Sequence, residues 1–320
     1  MKHIFTAVSA LLCAATLSGC TEPPQIVDQP PSDIFADRWN SGLQDTEPDL
    51  QLQPIDANTF ALRQSLHTTF EAPFMYLLFG EEKALLIDTG VAGVNLREKV
   101  DNQVKRWLKA KSKAKIDLIV MHTHGHGDHV GGDEAFTDRS NTTVVGHSPE
   151  DVASFFGLKE WPDGKAEYKL GERTLDIIPT PGHHPSHVMV YDRQSKLLFS
   201  GDSLYPGRLY FQCGQLDEYR TSISRVATFA KTNEIRAILG AHIELSLKAG
   251  KSFGGNDRVR VGERLIELPT RSLADLQAAL RLMENKPVVR PFSDFILFPH
   301  PADPRGKEPP NWCLPENNTK

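Results

Sequence analysis

The stretch His122-Thr123-His124-Gly125-His126-Gly127-Asp128-His129-Val130-Gly131-Gly132 constrains this chain more than any other. It holds four of the protein's 12 histidines within eight positions, with an aspartate among them. Protonated, such a cluster repels itself, and it brings little apolar surface to a core. Neutral imidazole and carboxylate are, however, the donors that suit zinc, and also iron or manganese. The apolar run "KIDLIVMHTH" reads as a buried strand leading into the motif. His124 and His126, two apart on extended chain, put both rings on one side, while Asp128 and His129 follow as the chain turns and face a second point. The interspersed glycines let the backbone fold tightly around ions.

A metal site needs partners from distant segments, and other strand ends supply them. "IIPTPGHHPSH" sets His183 after a strand and a Pro-Gly turn, "KLLFSGDS" sets Asp202 at the end of another, and "AILGAHIE" sets His242 after a third. "ALLIDTG" ends on Asp88, a place from which a carboxylate supports a metal ligand from behind. Convergence of His or Asp at so many strand-to-loop junctions argues against a surface histidine patch.

Taken in order, His-X-His-X-Asp-His, Thr-Pro-Gly-His, Ser-Gly-Asp and Gly-X-His resemble the metallo-β-lactamase superfamily, in its hydroxyacylglutathione-hydrolase-like branch. The resemblance implies an α/β fold, a four-layer αββα sandwich with the site at one edge between the sheets. It implies that His124, His126 and His183 hold one zinc, that Asp128, His129 and His242 hold a second, and that Asp202 bridges them together with a water or hydroxide. The expected activity is hydrolysis of a small acyl substrate (ester, thioester or lactone) by that hydroxide, with Asp128 also steering a proton. β-Lactam hydrolysis is one alternative. A mononuclear iron dioxygenase acting on sulfur compounds, its metal held by two histidines and a carboxylate, is another.

Several residues near the motifs stay open. Tyr205 and Arg208, in "DSLYPGRLYFQCG", are candidate substrate contacts; the planar fork of Arg208 suits carboxylate or phosphate, or pairs with Asp217 or Glu218. His184 and His187 either compete for metal or line the cleft. His122 and His147 read as structural.

The remaining organisation is set by length and composition. At 320 residues, 39% hydrophobic and 24% charged, the chain can bury a full core, and a net charge of −5 without a basic patch argues against nucleic acid. A small-molecule substrate is the expected partner, and no protein partner is evident. Residues 1–19 read as a lipoprotein signal peptide: a basic start, a short apolar run and Leu17-Ser18-Gly19-Cys20, which resembles a lipobox with Cys20 as the lipidated residue. The expected location is exported and lipid-anchored at a bacterial membrane, the outer one facing the periplasm, with the lipid as the only membrane contact. Residues 20–53 read as a flexible linker, 54–250 as the catalytic domain, and 251–320 as a C-terminal helix and irregular tail. Ser272 and Asp275 form the expected capping pair of that helix. Cys213 and Cys313, the thiols remaining after Cys13 and Cys20, are free to pair in an oxidising compartment or to stay apart.

Overall fold

The central strands are buried along nearly their whole length, and their side chains alternate between two faces, each of which packs against a different layer. The computed structural model describes residues 32–283 and 289–300; the signal segment, Cys20 and Cys313 lie outside them. One sheet runs in sequence order through β1 (Leu50–Asp56), β2 (Thr59–Gln64), β3 (Phe74–Phe79), β4 (Lys83–Ile87), β5 (Asp117–Met121) and β6 (Thr142–Val144). The other begins at its far edge with β7 (Ala166–Lys169), then β8 (Thr174–Pro179), β9 (Val188–Asp192) and β10 (Leu197–Gly201). A third, three-stranded sheet contains β11 (Arg208–Gln212), while β12 (Ala237–Gly240) and β13 (Glu267–Leu268) complete the second. β14 (Arg290–Pro291) and β15 (Ile296–His300) complete the third, with β15 parallel to β11.

On β5, Ile119 and Met121 join Phe74, Tyr76, Leu175, Ile177, Val190 and Phe199 in the core between the large sheets. Leu118 and Val120, on the opposite face, join Val100, Val104 and Trp107 of α1 (Leu96–Ala110). Likewise Leu198 and Met189 turn away from Phe199 and Val190 to meet α5 and α6, residues Leu216–Phe229 and Arg271–Leu282. The shorter helices α2 (Gly127–Val130), α3 (Glu134–Thr137) and α4 (Pro149–Phe156) sit in the connections. Both large sheets therefore carry an apolar face on each side, and the result is the four-layer αββα sandwich. Buried Arg173 ties the layers: it pairs with Asp192 at 2.6 Å and donates to the Phe79 carbonyl at 3.0 Å.

Three boundaries differ from the sequence reading. The linker does not extend to residue 53, because Phe35 is buried, Trp39 packs edge-on against Phe74 at 4.8 Å, and β1 begins at Leu50. Nor does the catalytic domain end at residue 250, since β15 pairs with β11 and α6 packs in one core with α5. The Ser272–Asp275 cap does not form. α6 starts at Arg271 without a side-chain cap, and the Ser272 hydroxyl donates to Asp294 at 2.8 Å. Among the described residues no helix is long and apolar enough to cross a membrane.

Candidate metal centre

The clustered residues leave the C-terminal ends of β4, β5, β8, β10 and β12 at one edge of the sandwich. Asp88 follows β4 directly, and His124 and His126 lie in the loop after β5. Asp128 and His129 sit on the single turn of α2. His183 follows a turn whose Gly182 has φ +142°, and a Cβ there would meet Tyr219 at 2.5 Å. Asp202 follows Gly201, which has φ +51° and sits so close to His187 and Thr123 that a side chain would strike both. Glycine at these two positions is a geometric requirement.

Two groups of donors result, one of His124, His126 and His183, the other of Asp128, His129, Asp202 and His242. In the first, His126 Nδ1 lies 2.9 Å from His124 Nε2 and 3.0 Å from His183 Nε2, and these last two are 3.2 Å apart. Three ring nitrogens in so tight a triangle cannot satisfy one another with hydrogens, whereas tetrahedral zinc with bonds of about 2.0–2.1 Å spaces its nitrogens by about 3.3 Å. In the second group, Asp128 Oδ2 lies 3.3 Å from His129 Nε2 and 3.2 Å from His242 Nε2. His129 Nε2 and Asp202 Oδ1 are buried without a hydrogen-bond partner, 3.5 Å apart. Orphaned donor atoms converging from separate strands fit a bound cation.

Acceptors behind the rings fix their orientation. His129 Nδ1 faces Asp88 Oδ2 at 2.9 Å, His183 Nδ1 the Tyr210 carbonyl at 2.7 Å, and His242 Nδ1 the Glu71 carbonyl at 2.9 Å. These oxygens only accept, so each Nδ1 carries a proton and each ring turns its Nε2 toward the cluster. Asp88 itself accepts from the Thr123 N–H at 2.7 Å and the Thr123 hydroxyl at 2.9 Å.

The two groups differ in charge. Burial, reinforced by neighbouring imidazoles, holds His124 well below the usual histidine range and His126 at about 4, and it lowers His183 as well. These rings are neutral at neutral pH. Burial opposes charge on His129 and His242 too, but the surrounding Asp128 and Asp202 carboxylates outweigh it and raise both well above the ordinary value. The same pairs overcome the burial of Asp128 and Asp202 and hold both carboxyls far below the usual range. One group thus offers three neutral nitrogens, and the other two nitrogens with two carboxylates.

A cavity of about 910 Å³ opens onto both groups, walled by Phe70, Val91, Ala92, Tyr210 and His300. Arg208 and Tyr205 line it, but their polar ends are engaged elsewhere. Arg208 Nη2 pairs with Glu244 Oε1 at 2.7 Å, not with Asp217 or Glu218, and Asp217 pairs instead with Arg220. Tyr205 is buried, and its hydroxyl donates to the Arg208 carbonyl. His187 is fully buried outside both groups, its Nδ1 2.8 Å from the Thr180 hydroxyl and its Nε2 accepting the Asp202 N–H at 3.2 Å. His184 bonds to Ser186, and His122 pairs with Asp133 at 2.8 Å. Sequence reasoning missed Glu244, Glu71 and His300. Glu244 lies only two residues beyond His242, but nothing in a linear sequence marks its pairing with Arg208. Cys213 is disulfide-bonded, and the other three cysteines lie outside the described residues.

Residues 68–242, more than half of the chain, match the family model described as "Metallo-beta-lactamase superfamily". An acyl-coenzyme A thioesterase from Gallus gallus is 24% identical over 230 residues, taking in 60% of this chain and 80% of the relative. A hydroxyacylglutathione hydrolase from Anaeromyxobacter dehalogenans is 33% identical over 137 residues, 41% of this chain and 46% of the relative. The chain spans about half the length of some curated relatives it matches. Among solved structures, a metallo-beta-lactamase from Pontibacter korlensis superposes with TM-score 0.47 at 22% identity, covering 72% of this chain and 99% of that one. The match over residues 68–242, carrying the paired donor groups, makes this chain a member of the metallo-beta-lactamase superfamily.

Proposed function

We propose that this protein is a hydrolase that binds two zinc ions and cleaves a small acyl substrate, an ester, thioester or lactone. The observation that carries the reading is the position of the Asp202 carboxylate, with Oδ2 3.6 Å from His183 Nε2 and Oδ1 3.3 Å from His242 Nε2. One oxygen faces each donor group, as a carboxylate must to hold two cations at a fixed spacing. Two bound cations would acidify a shared water and polarise the acyl carbonyl. The chain's own residues prepare that chemistry. Asp88, the Tyr210 carbonyl and the Glu71 carbonyl lock three imidazoles in one tautomer, and His187 fixes the Asp202 backbone through its amide. Asp128 Oδ2, at the cavity wall between two imidazoles, is placed to steer a proton there.

The names of the thioesterase and hydroxyacylglutathione hydrolase relatives support acyl, and in particular thioester, substrates. The test is metal analysis of protein purified without chelator, with a panel of ester, thioester, lactone, phosphoester and β-lactam substrates. About two zinc ions per chain, with acyl turnover lost to chelation and restored by zinc, is the expected result. One metal per chain, or turnover confined to phosphoesters or β-lactams, would refute the reading.

We further propose that Cys20 carries the lipid that holds the enzyme at a bacterial membrane, the outer one facing the periplasm. Replacing Cys20 with Ser should move the protein from the membrane pellet to the soluble fraction. Continued pelleting of Cys20→Ser, with no lipid on wild type by mass, would refute the anchor.

A further inference from the structure

Beyond the seven clustered His and Asp residues, the carboxylate and guanidinium side chains lining the described cavity are Glu71, Glu244 and Arg208. Arg208 is the one such cation, and it is already committed. Glu244 Oε1 accepts from Arg208 Nη2 at 2.7 Å, and Glu244 Oε2 accepts from the Arg208 N–H at 2.7 Å. Arg208 Nη1 donates to the Phe253 carbonyl at 2.9 Å. Both partners are largely buried, with side chains 12% and 15% exposed, so solvent screens the pair only weakly. Glu71 adds a further carboxylate at the same cavity, next to Phe70.

A carboxylate entering between Phe70 and Tyr210 would therefore meet a neutralised guanidinium and a second acidic side chain. Like charges brought together in a confined site are strongly disfavoured. An uncharged chain meets Phe70, Val91, Ala92 and Tyr210.

We propose that Glu244 masks Arg208 and so restricts the cavity to acyl groups without negative charge, making Glu244 a specificity-determining residue of the hydrolase. The proposal rests on the hydrolase reading above and takes it further. Metal ions at the clustered residues would draw anions toward themselves, so the probe must carry its charge at the far end of the acyl group.

The test compares the p-nitrophenyl ester of 4-phenylbutanoic acid with its para-carboxyphenyl analogue on the zinc-loaded full chain. Wild type is expected to favour the neutral ester in kcat/KM by about tenfold or more. In Glu244→Gln, which keeps an acceptor for the Arg208 amide and removes the charge, the ratio should move toward the carboxylate by about tenfold. Adding Arg208→Gln to that variant should cancel the shift. A wild type indifferent to the charge, or preferring the carboxylate, overturns the proposal, as does a Glu244→Gln ratio unchanged in a protein of wild-type melting temperature. Calorimetric binding of the two matching amides to zinc-loaded wild type is read separately. Absent turnover with a neutral-over-charged binding preference counts against the hydrolase reading alone, and equal binding counts against Glu244 as the selector.

Discussion

The Asp88 carboxylate stands 2.9 Å behind His129 Nδ1 and simultaneously accepts the Thr123 N–H at 2.7 Å, so a residue at the end of β4 sets the orientation of a ring on α2. Carboxylates in that position raise the basicity of the ring and prevent it from turning. Asp88→Asn removes the charge while keeping the shape. Zinc affinity at the group of Asp128, His129 and His242 should fall by about 10- to 100-fold, measured by competition with a chromophoric chelator. Unchanged affinity would mean that His129 is held by packing alone.

Asp202 faces both donor groups, and its replacement should separate a working hydrolase from a passive metal binder. Asp202→Asn should reduce turnover by about 100-fold or more, equivalent to about 2.7 kcal/mol on the barrier. The second zinc should also be lost on gel filtration. Full zinc content with full turnover would remove Asp202 from the mechanism.

Phe199 contributes a fully buried ring between the two large sheets, 4.7 Å from the ring of Tyr76. Phe199→Ala leaves a cavity that the two opposed sheets cannot close. Urea denaturation should show a loss of about 3–5 kcal/mol. A loss below about 1 kcal/mol would show that the inter-sheet layer collapses around the gap.

Asp176 gives a pH-dependent test away from the metal centre. Its burial alone would raise the carboxyl, but hydrogen bonds from Arg193 (2.7 Å) and Lys165 win, and its value in the folded protein is lowered. A carboxyl lowered by folding stabilises the protein above its unfolded value, about 3.9, and loses that contribution as pH falls through the lower folded value. Because Arg193 and Lys165 are well exposed, the contribution is about 1 kcal/mol or less. Urea midpoints of wild type and Asp176→Asn should differ at pH 7 and converge below about pH 4. A gap that widens on acidification would contradict the assignment.

How far the sequence could be read depended on where the information lies. The sandwich was legible because β3, β5, β9 and β10 are apolar on both faces, and alternating helices have to cover the outer ones. The His and Asp donors were legible as types at strand ends, and the structure brings all seven to one edge. Their supports were not. His183 and His242 lean on the carbonyls of Tyr210 and Glu71, and every residue has a carbonyl, so side-chain identity carries no trace of the contact. Arg208 was a visible cation, yet its fate was set by Glu244, 36 positions away and brought close by the strand-end loops. β15 escaped notice because it is short, contains Pro299, and pairs in parallel with a strand far back in the chain.

That distant pairing has a consequence for biosynthesis. Among the described residues, β11, which carries Tyr210 and Arg208 at the cavity, pairs with β15 alone, and His300 at the end of β15 walls the same cavity. A ribosome adding about 5–20 residues per second completes the donor residues of the metal centre at His242 several seconds before it reaches residues 296–300. During that interval a nascent chain can gather its ligands, while one wall of its cavity has yet to be synthesised.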